Sequence, residues 1–288
     1  MDSTRSKVAL VTGAGSGLGR ATALALSDAG YDVAALGRNH DALRDLLQEL
    51  RTRRGANWGG KACWVDTNVR DHHSIQMGVA QVEEKVGPVD VLVNNAGVVH
   101  PRRRIQDSTN GDLYDDFDAA LETHFVGPLN FIHRVLPGML ARKSGVIVNV
   151  ASKAARYAVP GFAAYNASKA ALVSLTQTLA KEVDGTGVRV YSVSPGGMRT
   201  EMREAVYGKE DAAKQQSPEV VAGVIAHLVC LGKTGCISPC PCSWCWCAEN
   251  EPENRLRCDC SHCCQISSGA DVLVWRGEVE VFLMEDRY

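Results

Sequence analysis

Short runs of apolar, often β-branched residues alternate along the chain with longer segments in which apolar residues recur every three or four positions. The short runs predict buried strands, and the longer segments predict amphipathic helices. The regular alternation of the two predicts an α/β protein. The predicted strands are Lys7–Val11, Asp32–Leu36, Lys61–Val65, Val89–Val93, Val146–Val150, Val188–Val193 and Asp271–Trp275.

The helical segments lie between these strands, and one of them is unusually long. It runs over Asp112–Leu140, and Gly127-Pro128 predicts a bend within it. Ser217-Pro218 marks the start of the last helix, because proline suits the first helical position. The other predicted helices are Arg20–Ala29, Asp41–Arg54, Asp71–Val86, Phe162–Ala180 and Val220–Leu231.

Composition narrows the class of protein. The chain has 288 residues, of which 45% are hydrophobic, enough to bury a sizeable core in one large domain or two. Lysine and arginine number 31 against 33 acids, so charge does not favour nucleic acid or an anionic membrane as a partner. The start is polar and no apolar run of about 18 residues occurs, so a cytoplasmic protein is expected.

A glycine-rich turn joins the first strand to the first helix and reads T-G-A-G-S-G-L-G from Thr12. Glycines here let backbone N–H groups and the N-terminus of the helix approach a pyrophosphate. The alternative is a plain tight turn. The residues that we interpret as cofactor-binding are Gly13, Ser16, Gly17, Leu18 and Gly19.

The end of the second strand bears on the choice of dinucleotide. A carboxylate there would bind the ribose diol of NAD, whereas an arginine can pair with the 2′-phosphate of NADP. No acid stands at Leu36 or Gly37, and Arg38 follows directly. The sequence therefore favours NADP(H) over NAD(H), with a merely solvated Arg38 as the alternative.

The segment after the fifth strand carries candidate acid–base chemistry. Tyr165 and Lys169 are four residues apart in a predicted helix, so they share one face, and Ser152 ends the strand before it. A lysine ammonium beside a phenol would lower the pKa of Tyr165. With the Ser152 hydroxyl to hold a carbonyl oxygen, the three are candidate catalytic residues. On spacing alone, packing and a solvated charge are the alternative.

Five motifs in this order resemble the short-chain dehydrogenase/reductase family. They are the glycine-rich turn, Asp66 after the third strand, Asn94-Asn95-Ala96-Gly97 after the fourth, the Ser152/Tyr165/Lys169 set, and P-G-G-M-R-T from Pro195. The resemblance covers Ser6–Leu231 and resumes at Asp271. It implies a Rossmann-type, doubly wound, parallel seven-stranded sheet with helices on both faces, in which residues 1–231 and 270–288 form a single domain.

The resemblance also implies roles for these residues. Asp66 would meet the adenine amino group, and Lys169 would bind the nicotinamide ribose beside Tyr165. The reaction implied is the reversible NADP(H)-dependent interconversion of a small-molecule secondary alcohol and the corresponding ketone. The assembly implied is a homodimer or homotetramer. The further residues that it implies at the cofactor are Asn94, Asn95, Ala96, Gly97, Pro195, Gly196, Met198 and Thr200.

Two features depart from a plain member of that family. His124 stands where the family has an asparagine that helps to hold a water in the proton path from the lysine. Together with the insertion before the last strand, this motivates a second hypothesis, a dinucleotide-binding regulator or scaffold with little turnover. Separately, Arg102, Arg103 and Arg104 follow the fourth strand and would either attract an anionic substrate or form a solvated loop.

Residues 232–269 form a cysteine-rich insertion before the last strand, with nine cysteines between Cys236 and Cys264. Two C-x-x-C pairs have a spacing close to that of a zinc ribbon, whereas disulfides conflict with a cytoplasmic location. Gly232-Lys233 can be encoded by a splice-donor sequence, and Gln265 by a splice acceptor. We hypothesise a translated retained intron over Lys233–Gln265, with a zinc site or a plain surface insertion as alternatives; no metal is assigned to the rest of the chain.

Overall fold

The computed structural model describes residues 5–55 and 60–231, together with the backbone of two further strands, Val272–Arg276 and Val279–Leu283. The predicted cysteine-rich insertion over 232–269 lies outside the described residues. The intron, zinc and surface-insertion interpretations therefore stay hypotheses.

The strands of the structure follow the predicted apolar runs closely. They are β1 (Val8–Thr12), β2 (Asp32–Gly37), β3 (Ala62–Asp66), β4 (Val89–Asn94), β5 (Gly145–Val150), β6 (Val188–Pro195), β7 (Val272–Arg276) and β8 (Val279–Leu283). They form one sheet in the order β3-β2-β1-β4-β5-β6-β7-β8, of which the first six are parallel. This parallel, doubly wound arrangement confirms the predicted Rossmann-type fold.

The last two strands differ from the prediction of a parallel, seventh edge strand. Strand β7 is antiparallel to β6, and β8 pairs antiparallel with β7, so the sheet has eight strands and β8 is at the edge. An antiparallel pair needs only a short connection, and the two strands are separated by residues 277–278 alone. The V-E-V-F-L segment of β8 was not among the predicted strands.

Helices cover both faces of the sheet. They are α1 (Gly17–Asp28), α2 (His40–Arg54), α3 (His72–Lys85), α4 (Asn110–Leu121), α5 (Gly127–Ala141), α6 (Ala163–Glu182), α7 (Glu201–Tyr207), α8 (Lys209–Ala213) and α9 (Pro218–Cys230). Apolar residues of α1, α2 and α9 form one core with one face of the strands. Residues of α3, α5 and α6 form a second core with the opposite face. Successive strand residues alternate between the two cores, as the pleat requires.

The predicted long helix is interrupted earlier than Gly127-Pro128. Between α4 and α5, Glu122–Val126 forms one wider, π-helical turn, and Pro128 then occupies the first turn of α5. Gly127 packs so closely on Val69 that a Cβ atom there would lie 2.5 Å from the Val69 carbonyl oxygen. The wider turn therefore carries His124 into the interior, where the residue is 1% exposed.

Candidate active site

The predicted motifs meet at one edge of the sheet. Strands β2 and β3 lie on one side of β1, and β4, β5 and β6 lie on the other, so the strand order changes direction between β1 and β4. At such a switch point the carboxyl ends of the neighbouring parallel strands leave a crevice. The glycine-rich turn follows β1, the N-N-A-G segment begins at the end of β4, Ser152 follows β5 and the P-G-G-M-R-T segment follows β6. The topology thus brings together motifs that lie as far apart in the sequence as Thr12 and Thr200.

The glycines of the first turn are required by close backbone approach. A Cβ atom on Gly13 would lie 2.8 Å from Ala96 Cα, and one on Gly19 would lie 2.1 Å from the Gly13 carbonyl oxygen. Gly13 and Gly17 also have positive φ angles of 64° and 49°. A Cβ atom on Gly17 would meet Thr200 Cγ2 at 3.2 Å, so this turn contacts both other loops of the crevice.

The N-terminus of α1 suits a bound anion. Its N-cap residue, Ser16, is exposed and makes no side-chain capping hydrogen bond, and the first turn contains no acid. The first N–H groups of the helix are therefore not capped by this side chain, and the helix dipole favours negative charge there. The residues present fit the pyrophosphate of a dinucleotide. Leu18, by contrast, is 5% exposed and packs in the core, so only its backbone faces this site.

Thr12 and Asn95 join the first turn to the segment after β4. The Thr12 hydroxyl accepts hydrogen bonds from the backbone amides of Asn95 and Ala96, each at 3.0 Å. The Asn95 side chain donates to the Thr12 carbonyl oxygen at 2.9 Å. Asn95 therefore fixes the crevice from within, and Thr12 is a site residue that the prediction left out. Its place at the head of the T-G motif was the available signal.

Asn94 has a bracing role rather than an open position in the crevice. Its side chain is 3% exposed and donates at 2.8 Å to Asn149 Oδ1 on β5, which in turn donates to Thr176 on α6. The prediction placed Asn94 at the cofactor. In the structure this side chain links β4 to β5 and, through Asn149, to the helix of Tyr165, because Asn94 and Asn149 lie opposite each other in the two strands.

The far end of the crevice contains the residues predicted to meet the adenosine part of the cofactor. Arg38 is exposed just after β2 and forms no ion pair within the described residues. Asp66 lies 3.1 Å from His40 Nε2, and the His40 ring contacts the Trp64 ring at a centroid distance of 5.2 Å. Arg38 is thus free to meet a phosphate, whereas His40 and Trp64 are neighbours of Asp66 that the sequence did not suggest.

The segment after β6 ends in a helix cap. Pro195 is the last residue of β6, Met198 forms a short bridge with Gln216, and Thr200 is the N-cap of α7. The Thr200 hydroxyl accepts a hydrogen bond from the Arg203 amide at 3.3 Å. Gly196 lies between the end of β6 and the Met198 bridge. Together these residues form the side of the crevice that is next to Gly17.

Ser152, Tyr165 and Lys169 come together as predicted. The Ser152 hydroxyl accepts a hydrogen bond from the Ala154 amide at 3.1 Å, and Ser152 is near enough to Tyr165 for side-chain hydrogen bonding to lower the pKa of the phenol. Lys169 is 4% exposed and donates from Nζ to the Val150 carbonyl oxygen at 2.8 Å. Its Nζ atom lies 5.8 Å from the centre of the Tyr165 ring. The three residues form one cluster between β5 and α6.

Burial sets the protonation of this cluster. It raises the pKa of Tyr165, and the hydrogen bond with Ser152 opposes this only in part. Burial also lowers the pKa of Lys169 to about 7. The predicted lowering of the Tyr165 pKa is therefore wrong for the protein without cofactor, because burial of the phenol outweighs the groups that favour the phenolate. Tyr165 is a protonated phenol at neutral pH.

His124 is fully engaged by its neighbours. Nε2 accepts a hydrogen bond from the Val98 amide at 2.9 Å, so the ring proton is on Nδ1, which lies 2.8 Å from Ser168 Oγ. Ser168 donates in turn to the Tyr165 carbonyl oxygen. Burial, with the charges of Lys169 and His100 as smaller causes, lowers the pKa of His124 well below its ordinary value. Both ring nitrogens are occupied, so His124 has no nitrogen left to hold a water.

A cleft that is open to solvent adjoins Tyr165. Its two rims are tied together, because Arg102 Nε donates to the Pro160 carbonyl oxygen at 2.9 Å and the Arg103 amide donates to that of Gly161 at 3.0 Å. The Arg103 side chain pairs with Asp112 at 2.9 Å. These two arginines therefore hold the cleft, which does not support the hypothesis that they attract an anionic substrate.

Two further properties concern the described residues only. Among them, no helix is long and apolar enough to cross a membrane. Within the same residues, no three histidine, cysteine or acidic side chains are grouped so that they could hold a metal ion.

Comparisons with known proteins agree with the geometry. Residues 7–211 match the family described as short chain dehydrogenase. The chain is 35% identical over 230 residues to the 3-oxoacyl-acyl-carrier-protein reductase FabG of Thermotoga maritima, covering 77% of this chain and 89% of that protein. It is also 35% identical over 201 residues to a short chain dehydrogenase of Pseudocercospora fijiensis, covering 69% of this chain and 62% of that protein.

Solved structures are similar as well. A variant of actinorhodin polyketide ketoreductase with NADPH has a TM-score of 0.68 and 34% identity, covering 78% of this chain and 90% of that chain. The 3-ketoacyl-(acyl-carrier-protein) reductase of Brucella melitensis, complexed with NADH, has a TM-score of 0.69 and 27% identity, covering 78% and 91%.

The fold and the crevice define a dinucleotide-binding oxidoreductase of the doubly wound α/β class. The chain belongs to the short-chain dehydrogenase/reductase family and is an NAD(P)-dependent oxidoreductase.

Proposed function

We propose that the protein interconverts a secondary alcohol and a ketone, with NADP(H) as the hydride carrier and Ser152, Tyr165 and Lys169 as the acid–base set. The observation that carries this proposal is the placement of Ser152, Tyr165 and Lys169 at the sheet edge shared with the glycine-rich turn, with Lys169 Nζ 5.8 Å from the centre of the Tyr165 ring. A hydroxyl pair in this position can hold and protonate one substrate oxygen.

In the reducing direction, the substrate carbonyl oxygen accepts hydrogen bonds from Ser152 and Tyr165. Tyr165, a phenol at neutral pH, donates its proton as negative charge develops on that oxygen. The nicotinamide supplies the hydride when the cofactor is bound. Lys169, one helical turn from Tyr165, orients the phenol and would hold the nicotinamide ribose. Leu113, Phe117 and Phe162 give the cleft beside Tyr165 apolar walls.

The preference for NADP(H) rests on Arg38. The guanidinium is exposed at the end of β2 and is not paired within the described part of the chain, and no acid replaces it there. A guanidinium binds a phosphate through charge-assisted hydrogen bonds. The relatives with known structures include both an NADPH and an NADH complex, so the preference requires its own measurement.

The test is a panel of ketones and secondary alcohols assayed with NADPH/NADP and NADH/NAD, with the absorbance of the reduced nicotinamide as readout. We expect turnover, and a loss of about 10²- to 10⁴-fold in Tyr165→Phe with cofactor binding retained. The matched control is Tyr157→Phe, because Tyr157 is 54% exposed and lies outside the catalytic set. Near-full activity of Tyr165→Phe on a good substrate would show that this mechanism is wrong.

The second candidate is a dinucleotide-binding regulator with little turnover. It is favoured by His124, which fills the position of the family's water-holding asparagine and keeps both ring nitrogens in protein hydrogen bonds. Tight NADPH binding by calorimetry, without turnover on any substrate of the panel, would favour this candidate over the enzyme.

We also propose a homodimer or homotetramer in the cytoplasm, assembled through the surface of α4 and α5. Tyr114, Val126 and Leu129 are large apolar residues exposed on this surface by 66%, 40% and 39%. Burying them against a second copy would remove apolar area from water. Light scattering of the wild type and of Leu129→Glu tests this, since a monomeric wild type contradicts it.

A further inference from the structure

We propose that His100 and Asp116 form a hydrogen-bonding site for a substrate hydroxyl group, so that the preferred substrates are ketones that carry a hydroxyl near the carbonyl on an otherwise apolar skeleton. The inference rests on the proposed function, because it assigns the substrate class of the same cleft. It is carried by side chains that none of the recognised motifs includes.

His100 lies beside Tyr165 without being part of the catalytic set. Both residues line the cleft described above, with apolar walls from Leu113, Phe117 and Phe162. The His100 side chain is only 20% exposed. A substrate held at Tyr165 therefore has His100 as a polar neighbour on an apolar wall.

Asp116 determines which nitrogen of His100 is available. The Asp116 Oδ1 atom lies 3.1 Å from His100 Nδ1, and an ionised carboxylate can only accept hydrogen bonds, so the ring proton lies on Nδ1. In the neutral ring the other nitrogen, Nε2, is an acceptor. It is buried and has no hydrogen-bond partner in the described residues.

A buried acceptor without a partner costs free energy, and a ligand that supplies a donor recovers it. The groups that suit a neutral nitrogen lone pair are hydroxyl donors. Other charges near the cleft do not make it an anion site, because Arg103 pairs with Asp112 and His124 stays neutral. The cleft therefore combines an acceptor, apolar walls and the Tyr165 phenol.

The experiment compares pairs of ketones with the same carbon skeleton, with and without a hydroxyl at the α, β or γ carbon. The readout is the ratio of kcat/KM for the two members of a pair. We expect the wild type to favour the hydroxyketone of at least one pair, and His100→Phe to reduce that ratio about tenfold. Phenylalanine keeps the ring but has no acceptor. His100→Gln, whose amide oxygen can accept, should recover part of the ratio.

Controls separate recognition from a structural role. His133→Phe, at an exposed histidine of α5, should keep the wild-type ratio. Asp116→Ala should lower the ratio, because the ring proton is no longer held on Nδ1. A second readout does not require turnover: the Kd of a hydroxyketone with a tertiary hydroxyl, which has no hydride to give to NADP, should rise about tenfold in His100→Phe when NADP is bound.

The outcomes distinguish this inference from the proposed function. If the wild type reduces ketones but the ratio is unchanged in His100→Phe, the hydroxyl site is wrong and the proposed function stands. If a keto acid, and not the hydroxyketone, depends on His100, the ring acts as a cation and the inference is overturned. If no ketone of any pair is turned over, the proposed function itself fails.

Discussion

His124 Nδ1 lies 2.8 Å from Ser168 Oγ, so the π-helical turn between α4 and α5 is bonded directly to the helix that carries Tyr165. The other ring nitrogen accepts the Val98 amide just beyond β4. One buried side chain thus joins three segments around the candidate active site. In this chain it serves packing and hydrogen bonding, where the family's asparagine serves a water.

Removing this imidazole should destabilise the protein. His124→Ala leaves the Val98 amide and the Ser168 hydroxyl without this partner, so we expect a loss of about 2–4 kcal/mol in the free energy of unfolding. His124→Asn should lose less, because an amide can replace one bond. Urea unfolding measures both. A His124→Ala variant as stable as the wild type would contradict the role of these hydrogen bonds.

The same residue should make stability depend on acid. The pKa of His124 is lowered well below 6.5 in the folded state, while the unfolded state keeps its ordinary value. Below pH 6.5 the unfolded chain binds a proton that the folded chain does not, so stability falls, by at most about 1.4 kcal/mol per pH unit. Unfolding at pH 7.5 and 5 should show a smaller loss in His124→Asn than in the wild type.

Lys169 should cost stability in the protein without cofactor. Its folded pKa is about 7 against 10.5 when unfolded. Between these values the folded state binds fewer protons, so stability rises with pH across this window and the full cost remains below pH 7. We expect Lys169→Met to raise the free energy of unfolding by about 1–4 kcal/mol at pH 7, with little gain near pH 10.5, and to abolish activity. A destabilised Lys169→Met variant at pH 7 would contradict this.

The glycine-rich turn should tolerate no side chain at its closest point. Gly19→Ala would place a Cβ atom 2.1 Å from the Gly13 carbonyl oxygen, so the turn must shift and the affinity for dinucleotide should fall at least tenfold. Gly223→Ala is the matched control, since a Cβ atom in α9 meets nothing within 4 Å. It should stabilise the helix by about 0.5–1 kcal/mol and leave affinity unchanged. Calorimetric titration with NADPH compares the two.

Arg38 should discriminate between the two dinucleotides. Arg38→Ala removes a charged donor for the 2′-phosphate, so we expect KM for NADPH to rise about tenfold or more, with a small change for NADH. The control is Arg44→Ala in α2. Arg44 is exposed and pairs with Asp41 one helical turn away. Equal effects of Arg38→Ala on both cofactors would remove the basis for the NADP(H) preference.

The cysteine-rich insertion has a test outside the protein. If Lys233–Gln265 is a translated intron, sequencing of mature transcripts should find messages without these codons. A message that always contains them ends the intron hypothesis. Binding of one equivalent of zinc by the full chain would instead favour the metal site.

The fold could largely be predicted because its signals are local. Apolar runs such as those of β1 and β5 begin and end within a residue or two of the predicted bounds, since strands buried on both faces need continuous apolar sequence. The cluster of Ser152, Tyr165 and Lys169 followed from helical spacing and motif order. These predictions needed no knowledge of contacts between distant segments.

The remainder depended on such contacts. The partners of His124, the ring of Trp64 on His40 and the neighbours of Asn94 come from segments far apart in the chain. The prediction that the pKa of Tyr165 is lowered failed for the same reason. Spacing predicts that Lys169 is near, but the degree to which both groups are buried comes from the assembled fold.

The attachment of Arg102 to Pro160 and of Arg103 to Gly161 has a consequence for how this cleft could diversify. An insertion or deletion on either rim would break these two hydrogen bonds. It would also shift the start of α6, the helix that carries Tyr165. Changes of substrate range are therefore easiest by exchanging side chains on α4, which faces the cleft without taking part in the backbone attachment. A library of variants at Leu113 and Phe117 would test new substrate specificities while the positions of Ser152, Tyr165 and Lys169 stay unchanged.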